Sequence, residues 1–183
     1  RSITSVLAVE RGFQTEGRLF ATVSIPAAYP QERRTQISTD ILSSLQRRPE
    51  VQAASVVSGR PLAGGNTGMG IAAADIPLAD ANVPWASWRL ITTDYFKTLG
   101  LNLVDGRNFT EQDILGKPFR VIISKRLATL LWKGQNPVGR TAVLWKGQNQ
   151  REGEVIGVVN DMRERGLESD PTLAVYLPAY GAL

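Results

Sequence analysis

The chain has 183 residues, 43% of them apolar, with 21 basic and 17 acidic residues for a formal net charge of +4. That is long enough for an unaided core, and the positive charge is too scattered for a nucleic-acid surface, its densest pairs being Arg33-Arg34 and Arg47-Arg48 on one predicted helix. With no cysteine and no histidine, disulfides, thiolate nucleophiles, Ser-His-Asp chemistry, histidine-ligated haem and the usual catalytic zinc sites are all excluded.

No run of about 18 apolar residues is present, so no segment reads as a membrane-spanning helix. The first residue is Arg1 rather than Met, which reads as a fragment or a processed form.

In chain order, Leu19–Ile25 alternates in part between apolar and polar residues and stops at Pro26, as a strand does. A helix follows Pro30. Ile37, Ile41, Leu42 and Leu45 share one stripe, with Glu32, Arg33, Arg34, Gln36, Asp40 and Gln46 on the other side. Burying that stripe would contribute roughly 6–12 kcal/mol before ordering entropy. Pro49 ends the helix and Val51–Val57 is β-rich, which completes an expected β-α-β unit with parallel strands.

Residues 58–70, SGRPLAGGNTGMG, form a glycine-rich connection. Their glycine spacing matches neither a dinucleotide loop nor a GxxxxGK[ST] loop, and no helix follows to present its N-terminus to a phosphate. VPWASWRLI (83–91) reads as a strand whose Trp85 and Trp88 sit in an interior or under a loop. TTDYFKTLG is a short helix capped by Thr92 or Thr93 and ended by Gly100, with Tyr95, Phe96 and Leu99 on its apolar face. Leu101–Leu103 is a brief strand, Asp105-Gly106 a turn, and Asn108–Glu111 a second capped start. RVIIS (120–124) is a short buried strand followed by a helix over Lys125–Trp132. Val155–Val159 is a strand buried on both faces, where Gly157 signals a bulge or close backbone approach. Ala174–Leu177 is a last strand, stopped by Pro178.

The word LWKGQN occurs twice, at 131–136 and 144–149. A repeat fold needs about three copies at a period of about 20–50 residues, so two copies thirteen apart do not make one. The flanks assign the first copy to a helix end running into Pro137 and the second to a strand, a turn and the start of the next strand.

Two groups of carboxylates could in principle do acid–base work: Asp105, Glu111 and Asp113, and Asp161, Glu164, Glu168 and Asp170. All lie among turn residues, with Arg107 and Arg163 close by to pair with them. A carboxylate-only Mg²⁺ or Ca²⁺ site is compatible with this composition, but the EF-hand spacing is absent. The residues nominate no catalytic, cofactor-binding or metal residue, and no cofactor.

Three blocks carry a resemblance: DYFKTLGLNLVDGRNFTEQD (94–113), PFRVIISKRLATLLWKGQNPVGR (118–140) and EVIGVVNDMRERGLESDPTLAVYLP (154–178). In this order and spacing they resemble the extracytoplasmic core domain of MacB-type ABC transporter permeases, a family that also includes FtsX- and LolC-like proteins. GFQTEGRLFATVSIP and PEVQAASVVSGRPL resemble the start of that domain, so the match covers about residues 11–178.

The resemblance implies an α+β (mixed α/β) fold in two lobes. Residues 1–18 would be the end of a membrane-proximal stalk helix and its lead-in, with Ile3, Val6 and Leu7 as a stripe. Residues 19–62 with 163–183 would form a lobe of β-α-β units, and 63–162 a mixed lobe inserted in it. Family members continue with another helix and strand, so the second unit is expected to be truncated at Leu183. Gly100, Gly106, Arg107, Pro137 and Gly139 match motif positions of structural type.

The implied function is a non-catalytic periplasmic domain of a bacterial inner-membrane permease, coupling ATP-driven motion to export or to partner action. The implied partners are the parent protein's own transmembrane helices, a second permease copy, a cytoplasmic ATPase subunit or domain, a periplasmic adaptor and an outer-membrane duct; nucleic acid is not among them. Trp85, Trp88 and the glycine-rich connection motivate the alternative, a stand-alone secreted ligand-binding or sensor domain.

Overall fold

The computed structural model describes residues 12–59, 68–76, 83–115, 118–146, 149–164 and 169–179. The expected stalk stripe of Ile3, Val6 and Leu7, most of the glycine-rich connection, and Glu168 lie outside these residues. The described elements are, in order, α1 (Gln31–Gln46), β1 (Gly68–Ala73), β2 (Trp85–Ile91), α2 (Tyr95–Leu99), β3 (Leu103–Gly106), α3 (Glu111–Leu115), β4 (Arg120–Ser124), α4 (Lys125–Trp132), β5 (Thr141–Lys146), β6 (Asn149–Val159) and β7 (Ala174–Pro178). They make an α+β fold.

The sheet order is β3-β6-β4-β7-β2-β1-β5, and β5 also pairs with β6. Six strands therefore close on themselves, with β3 as an annex. The closure depends on the length of β6. Its first half, Asn149–Glu154, pairs antiparallel with β5, while its second half holds β4 in parallel on one side and β3 antiparallel on the other. Closure leaves the six ring strands with few unpaired backbone groups. The register steps from Val121↔Val155 to Ile122↔Gly157, so Ile156 is the extra residue of a β-bulge at the site that Gly157 signalled.

Alternation along the strands divides two cores. Val121, Ile123, Val175 and Leu177 face the ring interior, where Leu127, Ala128, Leu131 and Trp132 of α4 close the layer. Ile122 and Tyr176, one residue out of phase, face a second cluster of Tyr95, Phe96 and Leu99 from α2 with Ile156 and Met162. Strands β4 and β7 are covered on both faces, which is why RVIIS and AVYL read as unbroken apolar runs.

Of the two LWKGQN copies, one ends α4 and the other supplies the end of β5 and Asn149 at the start of β6, with Gly147 and Gln148 outside the described residues. Local sequence is identical, so the neighbours decide. Trp132 is 1% exposed and its indole N–H donates to Asp75 at 3.2 Å, whereas Trp145 is only half-buried.

Two expectations are corrected. The chain at 19–25 is not a strand and at 51–57 makes only one bridge, Val57↔Ile91, which is antiparallel. The helix of the expected β-α-β unit forms without its sheet, because an extended segment becomes a strand only where a neighbour completes its ladder. Accordingly α1 has no buried residue, and Leu19, Phe20, Val23, Tyr29 and Leu45 are all exposed. The burial expected of the stripe is not realised.

The other correction concerns β7, which the expected division places with residues 19–62 in the lobe of β-α-β units. It lies in the middle of the sheet, parallel to β2 through Ser87↔Ala174 to Ile91↔Pro178 and antiparallel to β4. A lobe boundary between 162 and 163 would cut this sheet.

Candidate functional site

Most of the described carboxylates in the two groups are engaged. Asp105 accepts the Gly106 amide at 2.7 Å, shaping the turn between β3 and the following loop. Gly106 must remain glycine there: its φ is +70°, and an added Cβ would lie 2.2 Å from the Ile156 carbonyl oxygen. Glu111 is exposed on the first turn of α3.

Asp113 is 1% exposed and is the centre of a network. Arg107 donates to both its oxygens at 2.7 and 3.0 Å, and Arg120 adds a third guanidinium bond at 3.0 Å. The Thr110 amide and hydroxyl both donate to Asp113 Oδ2, so this residue also closes the capped start of α3. The hydrogen bond from Arg107 outweighs burial and holds the Asp113 carboxyl far below the ordinary carboxylate range.

The described members of the second group are committed as well. Glu164 pairs with Arg89 at 2.6 Å, both side chains being nearly sealed from solvent. Asp170 pairs with Arg126 at 2.8 Å, and Arg163 donates to the Ser169 carbonyl. Asp161 accepts the backbone amide of Arg126 at 2.8 Å. Burial, reinforced by the Glu164 charge, pushes the Tyr95 and Tyr176 phenols above their ordinary range. Among the described residues, no group of three or more acidic, His or Cys residues is arranged to hold a metal, and no helix is long and apolar enough to cross a membrane.

The motif NPVGR (136–140) is a folded turn. Asn136 Oδ1 accepts the Val138 amide, while Arg140 reaches Asp75 at 2.6 Å and Gln135 at 2.8 Å. The turn is pinned to β6 by Gly139 N–H to Val155 O and Val155 N–H to Arg140 O. Burial would raise the Asp75 carboxyl; the hydrogen bonds from backbone, Arg140 and Trp132 prevail and lower it.

Thr92, expected to cap α2, instead bonds the backbone of Val56, and Asp94 stands at the N-cap. Sequence reasoning passed over two roles. The Arg89–Glu164 pair had one available signal, a single arginine inside the apolar run WASWRLI. The seat of Asp161 on α4 had none, since 35 residues separate it from Arg126.

A cleft of about 730 Å³ lies over the start of α4, lined by Trp85, Lys125, Arg126, Leu130, Asp161 and Asp170 among others. Trp85 is 62% exposed there, whereas Trp88 packs against the ring core. The arrangement defines a class: an α+β module whose charged clusters brace loops.

The family follows from the whole length of the chain. It belongs to the MacB-like periplasmic core domains, whose family model matches residues 3–183. By that family it is a periplasmic domain of an inner-membrane protein. The chain is 32% identical over 88 residues to the macrolide export ATP-binding/permease protein MacB of Aggregatibacter actinomycetemcomitans, covering 48% of the chain and 13% of that protein. To the protein of the same name from Bartonella quintana (strain Toulouse) it is 29% identical over 86 residues, covering 46% and 12%.

The crystal structure of the periplasmic region of MacB from Actinobacillus actinomycetemcomitans matches with a TM-score of 0.52 at 22% identity, over 78% of this chain and 55% of that one. At this identity the likeness speaks for the fold alone. The chain spans a small part of the curated relatives' length, 13% or less.

Proposed function

We propose that this domain is a non-catalytic coupling module, which receives ATP-driven motion through the parent protein's transmembrane helices and delivers it to export or to a periplasmic partner. The observation that carries this reading is the family match over residues 3–183, on a chain whose described carboxylates are mostly tied to structural partners. A cytoplasmic ATPase subunit or domain would supply the energy, and a second permease copy, an adaptor and an outer-membrane duct are the partners the reading calls for. The relatives' printed name makes macrolides the first cargo to try.

The two-lobe division belongs to the same proposal, with the later boundary moved beyond β7. What supports it is the near absence of ladder pairing between residues 19–57 and the closed sheet.

The test uses the full-length permease with its ATPase, comparing the intact protein with one in which residues 12–179 are replaced by a flexible linker. The expected result is retained ATP hydrolysis in membranes with loss of macrolide export. Export unchanged by the replacement overturns the coupling role. A parent gene encoding a cleavable signal peptide and no apolar run of about 20 residues would overturn the permease context altogether.

A ligand-binding reading has one observation in its favour, the exposed Trp85 at the mouth of the cleft. It predicts a ligand-dependent rise in Tm.

A further inference from the structure

We infer that the loop Asn160–Glu164 is a mechanical relay, linking the position of the N-terminal lead-in to the capping of α4 and hence to the wall of the cleft. The input side is a close contact. Gly12, at φ +81°, lies so near the loop that an added Cβ would stand 2.0 Å from the Asp161 carbonyl oxygen. Phe13 packs against the second core, which contains Met162. The Gln14 amide donates to Leu99 O at 3.0 Å and Arg18 Nε to Thr98 O at 2.8 Å. Residues 12–18 are thus stapled to the end of α2, with Gly12 set close against the loop.

The output side is an exchange of caps. Ser124 occupies the N-cap of α4, yet its hydroxyl makes no cap hydrogen bond and instead accepts the Ala174 amide of β7 at 3.1 Å. The duty falls to Asp161, whose Oδ1 accepts the Arg126 amide in the first turn. Helix α4 is therefore capped by the same residue whose backbone meets Gly12.

From there the loop branches. The Arg126 side chain holds Asp170 across the cleft, Thr172 N–H donates to Met162 O at 2.9 Å, and Glu164 is clamped to Arg89 of β2 at 2.6 Å. A displacement of the lead-in cannot leave Asp161 in place, and a displaced Asp161 leaves the first turn of α4 with an open donor.

The experiment reads amide hydrogen exchange site by site in the 183-residue chain. Gly12→Val is expected to accelerate exchange at the Arg126 amide and through 160–164 by about tenfold or more, with Ile71 and Ala142 of the β1–β5 pair unchanged. Gly17→Val is the control. That glycine also has a positive φ, +65°, but nothing lies within 4 Å of an added Cβ, so it strains the same segment without pushing the loop. Asp161→Ala must in turn speed exchange at Gln14, because coupling between two sites is reciprocal.

Acceleration confined to residues 12–18, spread evenly over all strands, or matched by Gly17→Val overturns the relay. Should Gly12→Val fail to fold, Phe13→Ala, which withdraws the lead-in's apolar anchor, is judged by the same three outcomes. That a membrane segment drives the input rests on the proposed function. The exchange pattern of the isolated chain does not, so either can fail alone.

Discussion

Arg107 and Asp113 are joined by two hydrogen bonds, Nη1 to Oδ2 at 2.7 Å and Nη2 to Oδ1 at 3.0 Å, with Asp113 sealed and Arg107 48% exposed. Removing the carboxylate charge by Asp113→Asn should cost about 1.5–3 kcal/mol, the range for hydrogen bonds to charged groups, and not more, because the exposed guanidinium regains water. Urea denaturation at neutral pH measures this.

The same network predicts a pH signature. The folded Asp113 titrates below the unfolded value of about 3.9. Its contribution is therefore complete above about pH 4 and is lost as pH falls through the folded value. The stability difference between wild type and Asp113→Asn should shrink steadily between about pH 4 and pH 2; a constant difference would exclude the ionised network.

The buried Arg89–Glu164 pair predicts strong non-additivity. Glu164→Ala leaves a guanidinium sealed without its carboxylate and should cost about 3–5 kcal/mol. The double change Arg89→Met with Glu164→Leu should recover at least about 2 kcal/mol of that, since the apolar pair needs no compensation. Additive single and double effects in a denaturation cycle would show that the two side chains are not coupled.

The repeated word gives an internal comparison. Trp132→Ala should cost about 3–5 kcal/mol, as for other fully buried aromatics, and Trp145→Ala clearly less. Leu131 and Leu144 are each 5% exposed, so their alanine variants should fall together at about 2–4 kcal/mol. Thermal and urea melts of the four variants decide the point.

The open side of the chain predicts indifference. Leu19→Ser and Val23→Ser should each change stability by less than about 0.5 kcal/mol, because both side chains are already exposed. Ile122→Ala, in a strand covered on both faces, should cost about 2–5 kcal/mol. A large loss at Leu19 would show that this surface is buried in solution.

What could be read from the residues were features fixed within a few neighbours. The helices over Lys125–Trp132 and Tyr95–Leu99, the end at Gly100, the strand use of the second LWKGQN and the bulge near Gly157 all depend on local periodicity and capping. The family was legible as well, because three motif blocks stand in order. The β-α-β unit was misjudged because Leu19–Ile25 and Val51–Val57 have strand-like side chains, whereas a strand is defined by a partner that the segment does not contain.

The sequence by itself determined the exclusions that follow from having neither Cys nor His, the amphipathic faces, and which segments could extend or coil. Only the tertiary structure decided that β7 enters the middle of the sheet, that Asp113 gathers two arginines, and that Asp161 caps a helix 35 residues before it. The physical reason is range. Propensity and periodicity act over one or two turns of chain, whereas ladder pairing, ion-pair burial and borrowed caps depend on which distant groups closure of the sheet brings within about 3 Å.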